Sequence, residues 1–359
     1  MAGKKKVAIT GTVGVPACYG GYETMVDNML DYTPEEVSYT VYCSRKAYRD
    51  RIPSYKGARL QYIPFSANGP QSLLYDGLSL IHAWFTCDTI LALGNCGSYL
   101  LPLLRLFGRK KVLYHYDGFE LKREKWNPLA KTVMHTLMRF SARFSDVHIS
   151  DNEAISPMIR DFSGHEPVLI EYGGDGAFPV QDDARLVSNY GLKAGEYCFN
   201  VCRIEPENNI HVMLEAFAGM PDRQLVLVGN WNKSEYGKVL CERYASCPNI
   251  KMMNPIYDPK EINLLRSNCK LYIHPHSVGG TNPSLVEAMF LGLPIVTFDV
   301  VYNRATTEGK ALYFSDVASL QKAVLDHVPD YPALARTMKE IADRRYRWKL
   351  IADKYAKLY

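Results

Sequence analysis

Short runs of β-branched and aromatic residues alternate with helix-length amphipathic segments along most of the chain. This alternation is typical of parallel sheets covered by helices, because parallel strands need a crossover of about one helix between them. A chain of 359 residues is longer than one hydrophobic core usually supports, so two domains are expected. We therefore predict an α/β protein with two doubly wound parallel sheets.

The predicted strands cluster in two halves of the chain. In the first half they are residues 7–10, 39–43, 60–65, 89–94, 111–117, 146–150 and 168–174, and in the second half 197–203, 225–229, 250–254, 271–276 and 294–299. The Gly- and Pro-containing run YGGDGAFPVQDD interrupts both patterns near Gly173 to Val180. The predicted domains are therefore 1–174 and 175–345.

The C-terminal segment 346–359 is predicted to be a helix that crosses back to the first domain. Trp348, Ile351, Ala352 and Tyr355 lie on one helical face. Such an apolar face needs a partner against which to pack.

Charge and cysteine usage restrict the class of partner and the compartment. The formal net charge is +4, and the basic excess lies in the first half. Such an excess is too small to indicate a nucleic-acid partner, but it suits an anionic membrane surface or a phosphate-bearing acceptor, with ordinary solvated surface charge as the alternative. The nine cysteines show no zinc-ligand spacing and lie mostly in apolar runs, which predicts buried reduced thiols and a cytoplasmic location.

No apolar run reaches the length needed to span a bilayer. The segment LLPLLRLFGRKK at 100–111 combines several leucines and a phenylalanine with Arg109, Lys110 and Lys111. It has two interpretations: a core helix that leads into the next strand, which we favour, or a peripheral contact of the basic first domain with the inner face of the plasma membrane.

The first candidate ligand loop is TGTVGVPACYGGYET, directly after the first strand. Gly11 and Gly14 allow backbone N–H groups to approach an anion, and Gly20 and Gly21 precede a helix that should start near Tyr22. Glu23 lies in the first turn of that helix. This glycine spacing also occurs in dehydrogenases and in plain tight turns, although the GxGxxG dinucleotide fingerprint is absent.

The second candidate loop, SVGGTNPSLVEAMFLGLP, follows the strand at 271–276. Asn282 is a natural N-cap and Pro283 a natural first helical residue. The N-terminus of this helix is therefore a candidate diphosphate site, because unpaired N–H groups and the helix dipole point to the same place. Glu287, just over one turn into the helix, could accept hydrogen bonds from ribose hydroxyls. A capped helix with a surface glutamate is an equally common explanation.

Two further clusters follow predicted strands. Arg203 ends the strand at 197–203 and could stabilise a leaving nucleoside diphosphate without a metal, or else pair with Glu205 or Glu207. No pair of carboxylates that could hold a divalent cation lies at a strand end, so no metal and no cofactor are expected. His115 and Asp117 end the strand at 111–117, where they could orient an acceptor hydroxyl or carry its proton. The alternative for His115 is a buried, hydrogen-bonded core residue.

With these loops in place, the chain resembles the family-4 glycosyltransferases, whose two facing Rossmann-like domains form the GT-B architecture. The most specific segment is HSVGGTNPSLVEAMFLGLPIVTFD, which is similar to the donor-site motif of that family. Two positions depart from the family pattern: Gly279 replaces a second glutamate, and Asn208 replaces a lysine. The resemblance implies a metal-independent, retaining hexosyltransferase that uses a nucleotide-sugar donor.

The combination of GTxGxPxxYGGxE, DGxExKRxKW, RxxPENN and VGGTNPSLVEAM resembles a bacterial rhamnosyltransferase branch of polysaccharide biosynthesis. This resemblance implies dTDP-rhamnose as donor and a glycan or polyprenyl-diphosphate-linked acceptor. The expected donor-binding residues are Gly11, Gly14, Arg203, Asn208, Gly280, Thr281, Asn282, Pro283, Ser284 and Glu287. The expected acceptor-binding residues are Tyr19, Gly20, Gly21, Glu23, Glu120, Lys122 and Arg123, and the expected catalytic residues are Asp117, His115 and Arg203.

Three other functions remain open at this stage. A nucleotide-sugar epimerase of the same fold would share the donor pocket without needing an acceptor. A catalytically degenerate nucleotide-sugar-binding protein would agree with the departures at Gly279 and Asn208. A dehydrogenase is disfavoured because the nicotinamide fingerprint is missing.

Overall fold

A computed structural model of the chain describes residues 3–18, 20–116 and 128–359. The chain divides into two units, Met1–Tyr172 with Trp348–Tyr359, and Gly173–Arg347. Each unit contains one parallel or mainly parallel sheet, with helical crossovers between most of its strands. This arrangement confirms the predicted α/β fold class with two doubly wound sheets.

The first unit is built on an eight-stranded sheet. Its strands are β1 (Lys5–Thr10), β2 (Val37–Ser44), β3 (Ser54–Tyr55), β4 (Ala58–Ile63), β5 (Thr89–Ala92), β6 (Lys111–Tyr116), β7 (Val147–Ser150) and β8 (Val168–Leu169). Its helices are α1 (Gly21–Leu30), α2 (Ser72–Thr86), α3 (Leu101–Leu104), α4 (Pro128–Phe144) and α5 (Ser156–Ser163). The strand order is β3-β4-β2-β1-β5-β6-β7-β8, and only the β3–β4 pair is antiparallel.

The second unit is built on a six-stranded parallel sheet. Its strands are β9 (Tyr197–Val201), β10 (Gln224–Val228), β11 (Ile250–Met253), β12 (Leu271–His274), β13 (Ile295–Phe298) and β14 (Leu312–Phe314). Its helices are α6 (Asp183–Tyr190), α7 (Ile210–Ala218), α8 (Glu235–Tyr244), α9 (Pro259–Ser267), α10 (Pro283–Phe290), α11 (Val301–Thr306), α12 (Val317–Asp326) and α13 (Tyr331–Arg345). The strand order is β11-β10-β9-β12-β13-β14.

In both sheets, the strands that follow the first strand of the unit are added on one side of it and then on the other. In the first unit β1 pairs with both β2 and β5, and in the second unit β9 pairs with both β10 and β12. At such a switch point the loops after the two central strands diverge, which leaves a crevice at their carboxyl ends where ligands of open α/β sheets bind. The loops of interest are therefore those after β1 and β5, and those after β9 and β12.

Side-chain caps define where several helices of the second unit begin. Asp182, Ser234, Asp258 and Asp316 each accept a hydrogen bond from a backbone N–H in the first turn of α6, α8, α9 and α12. These bonds satisfy N–H groups that have no partner within the helix. The helix α10 begins without such a side-chain bond.

The last helix, α14 (Trp348–Ala356), belongs to the first unit. Its predicted apolar face is buried, with Trp348, Ile351, Ala352 and Tyr355 each no more than 3% exposed. The Tyr355 hydroxyl lies 3.7 Å from the Met25 sulfur of α1. The prediction that the C-terminal helix crosses back to the first unit is therefore confirmed.

Two short strands were not predicted, and several strand ends differ from the prediction. The antiparallel β3 and the edge strand β14 span two and three residues, too short to show a periodicity. Conversely, β9 ends at Val201 and β12 at His274, before the predicted ends at 203 and 276. The residues beyond these ends leave the sheet and form the loops of the candidate site.

The burial of the cysteines differs from the prediction. Cys43, Cys87, Cys198 and Cys269 are buried, whereas Cys18 is exposed. Among the residues that the structure describes, no helix is long and apolar enough to cross a bilayer.

Candidate functional site

Hydrogen bonds join the loops after β9 and β12 at the switch point of the second sheet. The Glu207 carbonyl accepts from the Ser277 hydroxyl at 2.7 Å and from the Ser277 N–H at 3.1 Å. The Asn209 amide donates to the Pro275 carbonyl at 2.9 Å. These bonds hold the loop that carries Arg203 beside the loop that leads into α10.

Arg203 is exposed at the carboxyl end of β9. No carboxylate of the described residues pairs with its guanidinium, so the alternative of an ion pair with Glu205 or Glu207 is not realised. Its backbone is held instead, because its carbonyl accepts from the Asn208 amide at 2.7 Å and from the Glu205 N–H at 3.1 Å. The side chain of Arg203 therefore projects from an ordered loop and is available to an anion.

Asn208 is 1% exposed. Its side-chain amide is used to hold the Arg203 carbonyl. Where the family pattern has a lysine, this chain therefore has a residue that shapes the loop around Arg203. The cation that a lysine would supply is missing from this position.

The N-terminus of α10 differs from the prediction in one respect. Asn282 occupies the N-cap position with extended backbone, φ −79° and ψ 124°, and Pro283 is the first helical residue, as predicted. The Asn282 side chain makes no capping bond, because its Oδ1 accepts from the Ser284 hydroxyl at 3.1 Å. The first turn of α10 is therefore left without a side-chain cap, which suits an anion at this helix end.

The glycine loop before α10 explains the first departure from the family pattern. Gly279 has φ +138°, a backbone conformation that residues with a side chain rarely adopt, although a Cβ there would meet no atom of the described residues within 4 Å. A glutamate at this position would be strained by its backbone rather than by its surroundings. Gly280 and Thr281 are buried between Gly279 and the helix.

Glu287 forms an ion pair that was not predicted from the sequence. Its Oε2 lies 2.7 Å from Nη1 of Arg266 on α9, and their side chains are 25% and 6% exposed. The buried Nε of Arg266 has no hydrogen-bond partner within residues 3–18, 20–116 and 128–359. Arg266 directly follows Leu264 and Leu265 near the end of α9, which was a weak sequence signal, since an arginine is rarely buried without a partner. The pair fixes the position of the Glu287 carboxylate and leaves it part-exposed at α10.

Two stacked histidines at the end of β12 were also missed. The rings of His274 and His276 lie 4.4 Å apart and nearly parallel. Both are buried, and Nδ1 of each has no hydrogen-bond partner among the described residues. Burial, followed by the positive charge of Arg203, lowers the pKa of His276 to about 3. Both rings are therefore neutral near pH 7, since burial also lowers the pKa of His274 well below its usual value.

In the first unit, the predicted glycine loop follows β1. Gly11 has φ +83°, and a Cβ there would lie 2.5 Å from the backbone nitrogen of Gly94, which follows β5. Glycine is therefore required where the loops after the two central strands touch. Gly14 packs in the same way against Cys43, and Gly20 is the N-cap residue of α1, which begins at Gly21.

Glu23 stabilises this loop from within. It is 6% exposed, and its Oε1 accepts from the Thr12 hydroxyl at 2.7 Å and from the Val13 N–H at 2.6 Å. The structure gives Glu23 a role in loop conformation, whereas its expected role was to bind the acceptor.

His115 lies beneath the first turn of α1, and its surroundings match the alternative interpretation of a buried, hydrogen-bonded residue. It is 4% exposed, its Nδ1 lies 3.0 Å from the Tyr22 hydroxyl, and its ring stacks on Tyr355. Burial lowers the pKa of His115 to about 3. The imidazole is therefore neutral near pH 7, and protonation of this ring is strongly disfavoured.

A small cavity lies near the switch point of the first sheet. It has a volume of about 20 Å³ and is lined in part by Thr10, Gly94, Ser98 and Asp76 of α2. Asp76 is 7% exposed, and its Oδ1 has no hydrogen-bond partner in the described part of the chain. Burial raises the pKa of Asp76 to about 7. This space is large enough for a water molecule.

The remaining predicted site residues, Tyr19, Asp117, Glu120, Lys122 and Arg123, lie outside the described residues. Among the described residues, no group of three or more His, Cys, Asp or Glu side chains could hold a metal ion.

Comparison with known families identifies the second unit. Residues 190–342 match the family model of glycosyl transferases group 1. The chain carries a glycosyl transferase group 1 domain. Residues 4–175 of this transferase match a second model, described only as a domain of unknown function (DUF1972). No curated protein sequence matches the chain significantly.

Solved structures establish the fold of the transferase. Sucrose-phosphate synthase from Thermosynechococcus elongatus aligns over 99% of this chain and 98% of its own, with 18% identity and a TM-score of 0.83. HepE from Anabaena, solved in complex with UDP, aligns over 98% of both chains, with 14% identity and a TM-score of 0.76. Trehalose-6-phosphate synthase OtsA aligns over 99% of both chains, with 9% identity and a TM-score of 0.73. The predicted GT-B fold is thereby confirmed.

Proposed function

We propose that the protein is a family-4 glycosyltransferase that transfers a sugar from a nucleotide-sugar donor to a glycan or a lipid-linked oligosaccharide. The reaction retains the anomeric configuration and belongs to bacterial cell-surface polysaccharide biosynthesis in the cytoplasm. The resemblance to the rhamnosyltransferase branch favours dTDP-rhamnose as the donor. One observation carries the proposal: at the switch point of the second sheet, an arginine with no carboxylate partner among the described residues, a helix N-terminus without a side-chain cap and an oriented carboxylate occur together.

Each part of this site suits one part of a nucleotide-sugar. The N–H groups at the start of α10 and the guanidinium of Arg203 would bind the diphosphate and stabilise the negative charge that develops on it as the glycosidic bond breaks. The Glu287 carboxylate, held by Arg266, would accept hydrogen bonds from vicinal hydroxyls of the ribose. Structures of the Anabaena protein HepE contain UDP and UDP-glucose, which supports a donor of this class.

Fewer residues support the assignment of the acceptor-binding side of the site. Since His115 is held neutral by burial, it would orient neighbouring groups by hydrogen bonding rather than carry a proton. Asp117, which directly follows β6, remains the candidate for contact with the acceptor hydroxyl. In a retaining reaction the donor phosphate itself would serve as the base.

Thermal-shift screening tests the donor part of the proposal. Nucleotide-sugars of dTDP, UDP and GDP are added to the purified protein, and a ligand that binds only the folded state raises the melting temperature. We expect dTDP-rhamnose to give the largest increase, and Arg203→Ala to remove it. If no nucleotide-sugar shifts the transition, the proposed donor site is wrong.

The fate of the bound donor distinguishes transfer from the other functions. Incubation with the donor alone should leave its sugar unisomerised, whereas an epimerase would convert it. Slow hydrolysis of the donor, or transfer to an added acceptor, would exclude a catalytically degenerate binding protein. NMR of the anomeric proton in the product then tests retention.

A further inference from the structure

One face of α2 exposes large apolar side chains to solvent. Leu74, Leu78, Ile81 and Phe85 are 51%, 41%, 38% and 62% exposed. Their spacing of four, three and four residues places them along one side of a helix of 15 residues, about 22 Å long. The opposite side of α2 is buried in the core of the first unit. The helix is therefore apolar on both faces, although only one face packs against a partner within the part of the chain that the structure describes.

The segment after α3 extends this apolar face. Leu103, Leu106 and Phe107 are 53%, 79% and 64% exposed. The rings of Phe85 and Phe107 meet edge to face, with their centres 6.2 Å apart, so the two segments are contiguous. We name the combined patch the α2–α3 surface, consisting of Leu74, Leu78, Ile81, Phe85, Leu103, Leu106 and Phe107. Proteins that stay monomeric in water rarely expose patches of this kind without a function.

Each of the two interpretations of the segment LLPLLRLFGRKK applies to some of its residues. Leu101 and Leu104 are buried, as the favoured interpretation of a core helix requires. Leu103, Leu106 and Phe107 point away from that core. The segment therefore contributes both to the core of the first unit and to an exposed surface.

Arg105 holds the exposed segment in place. Its guanidinium donates to the carbonyls of Lys110 and Phe144 at 2.8 and 2.7 Å and pairs with Asp146 at 2.8 Å. The same guanidinium lies over the ring of the buried Trp84, 5.6 Å from its centre. The apolar tip at 106 and 107 is thus presented by an ordered scaffold, which fits a built surface better than a frayed loop.

The charged residues in the chain segment 66–111, which carries this surface, are mainly positive. Arg109 is 87% exposed, and Lys110 and Lys111 follow it. Within residues 66–111 the only carboxylates are Asp76, which is buried, and Asp88, which accepts a hydrogen bond from the Lys6 N–H. Asp146 pairs with both Arg105 and Arg109. An apolar surface with a basic margin is complementary to the anionic headgroups and acyl chains of a membrane.

We propose that the α2–α3 surface docks the first unit on an anionic lipid bilayer. The apolar side chains enter the boundary between headgroups and acyl chains, while the cations at 109–111 remain among the phosphates. A second copy of the chain fits less well, because a symmetric dimer through this surface would bring the same cations together. The proposal is independent of the donor site and can fail or succeed without it.

Vesicle co-sedimentation of the full chain tests the proposal. We expect the protein to bind vesicles of phosphatidylcholine with 30% phosphatidylglycerol at least about tenfold more tightly than vesicles of phosphatidylcholine alone. Replacing Phe85, Leu106 and Phe107 together by Ser should weaken binding to the anionic vesicles at least about tenfold. Arg109→Gln with Lys110→Gln should reduce the preference for anionic lipid.

Matched variants and the oligomeric state complete the test. Val239 and Tyr257 of the second unit are 50% and 84% exposed, and Val239→Ser with Tyr257→Ser should leave vesicle binding unchanged. Equal binding of both vesicle types, or equal loss in both sets of variants, overturns the proposal. So does a dimer in sedimentation equilibrium that the Phe85, Leu106 and Phe107 variant dissociates, since the second copy would then be the occupant.

Discussion

Arg266 of α9 donates to Glu287 of α10 across 2.7 Å, and the arginine is almost fully buried. The two residues are distant in sequence, and their contact joins two consecutive helices of the second unit. A buried guanidinium needs a carboxylate partner, so the pair restricts Glu287 to one orientation. The orientation of the Glu287 carboxylate, to which we assign ribose recognition, is therefore fixed by a residue from another helix.

We predict that Arg266 positions Glu287 without itself reacting. Arg266→Met should raise the KM for the donor roughly tenfold with little change in kcat, because a ribose contact acts equally on the ground state and the transition state. In a Glu287→Gln background the same substitution should add little further change. Steady-state kinetics check this, with Lys238→Met as the control, since Lys238 lies in an exposed pair 4.0 Å from Glu235. A fall in kcat at constant KM would contradict a positioning role.

Arg203→Ala is predicted to abolish sugar transfer while leaving the fold intact. The side chain is exposed and has no carboxylate partner among the described residues, so its removal should change the free energy of unfolding by less than about 0.5 kcal/mol. The diphosphate would lose its main cation, which we expect to cost at least about 100-fold in kcat/KM. Activity and melting temperature are compared with those of Arg336→Ala, another exposed arginine of this unit. Near-normal transfer would remove Arg203 from the site.

Gly11→Ala should destabilise the first unit more than Gly57→Ala does. Both glycines have positive φ, +83° and +79°, so both substitutions introduce backbone strain of about 1–2 kcal/mol. Only at Gly11 would the new Cβ meet backbone, 2.5 Å from the Gly94 nitrogen, whereas Gly57 has nothing within 4 Å. Urea midpoints measure the difference, and equal midpoints would mean that the loops after β1 and β5 do not touch.

Acid should destabilise the fold through His115. Burial lowers its pKa to about 3, whereas in the unfolded chain it is about 6.5. The stabilising contribution of the neutral ring is therefore complete above pH 6.5 and is lost as the pH falls towards 3, by about 2 kcal/mol at pH 5. His115→Gln should reduce the loss of melting temperature between pH 7.5 and pH 5. Tyr22→Phe should leave that loss unchanged, because burial rather than the hydrogen bond causes the shift. An unchanged loss in His115→Gln would contradict the assignment.

Asp76 should have the opposite pH dependence. Burial raises its pKa to about 7, so the protonated carboxyl is favoured in the fold. The corresponding stability is present below about pH 4 and is lost as the pH rises to 7, by about 4 kcal/mol in total. Asp76→Asn should therefore stabilise the protein at pH 8 and have little effect at pH 4. Thermal melts at both pH values measure this, and a variant destabilised equally at both would show that the carboxylate has a charged partner.

Local patterns in the sequence were sufficient for the architecture and for part of the site. Some features involve only a few neighbouring residues and can be recognised from the sequence without a structure. These are the strand and helix periodicity, the glycines around Gly11 and the Asn-Pro start of α10. The apolar face of the C-terminal helix, formed by Trp348, Ile351, Ala352 and Tyr355, could be predicted for the same reason. The strand order then brought Arg203 and the α10 loop to one switch point, as a doubly wound sheet requires.

Only the tertiary structure decided how the polar side chains are used. Glu23 and Asn208 form hydrogen bonds within their own loops, Glu287 pairs with Arg266, and His115 is enclosed by α1 and α14. The same holds for the α2–α3 surface, where the choice between core and solvent depends on which faces of α2 and α3 meet the sheet. The physical reason is that burial and pairing depend on segments distant in sequence, whereas periodicity and capping depend on neighbours along the chain.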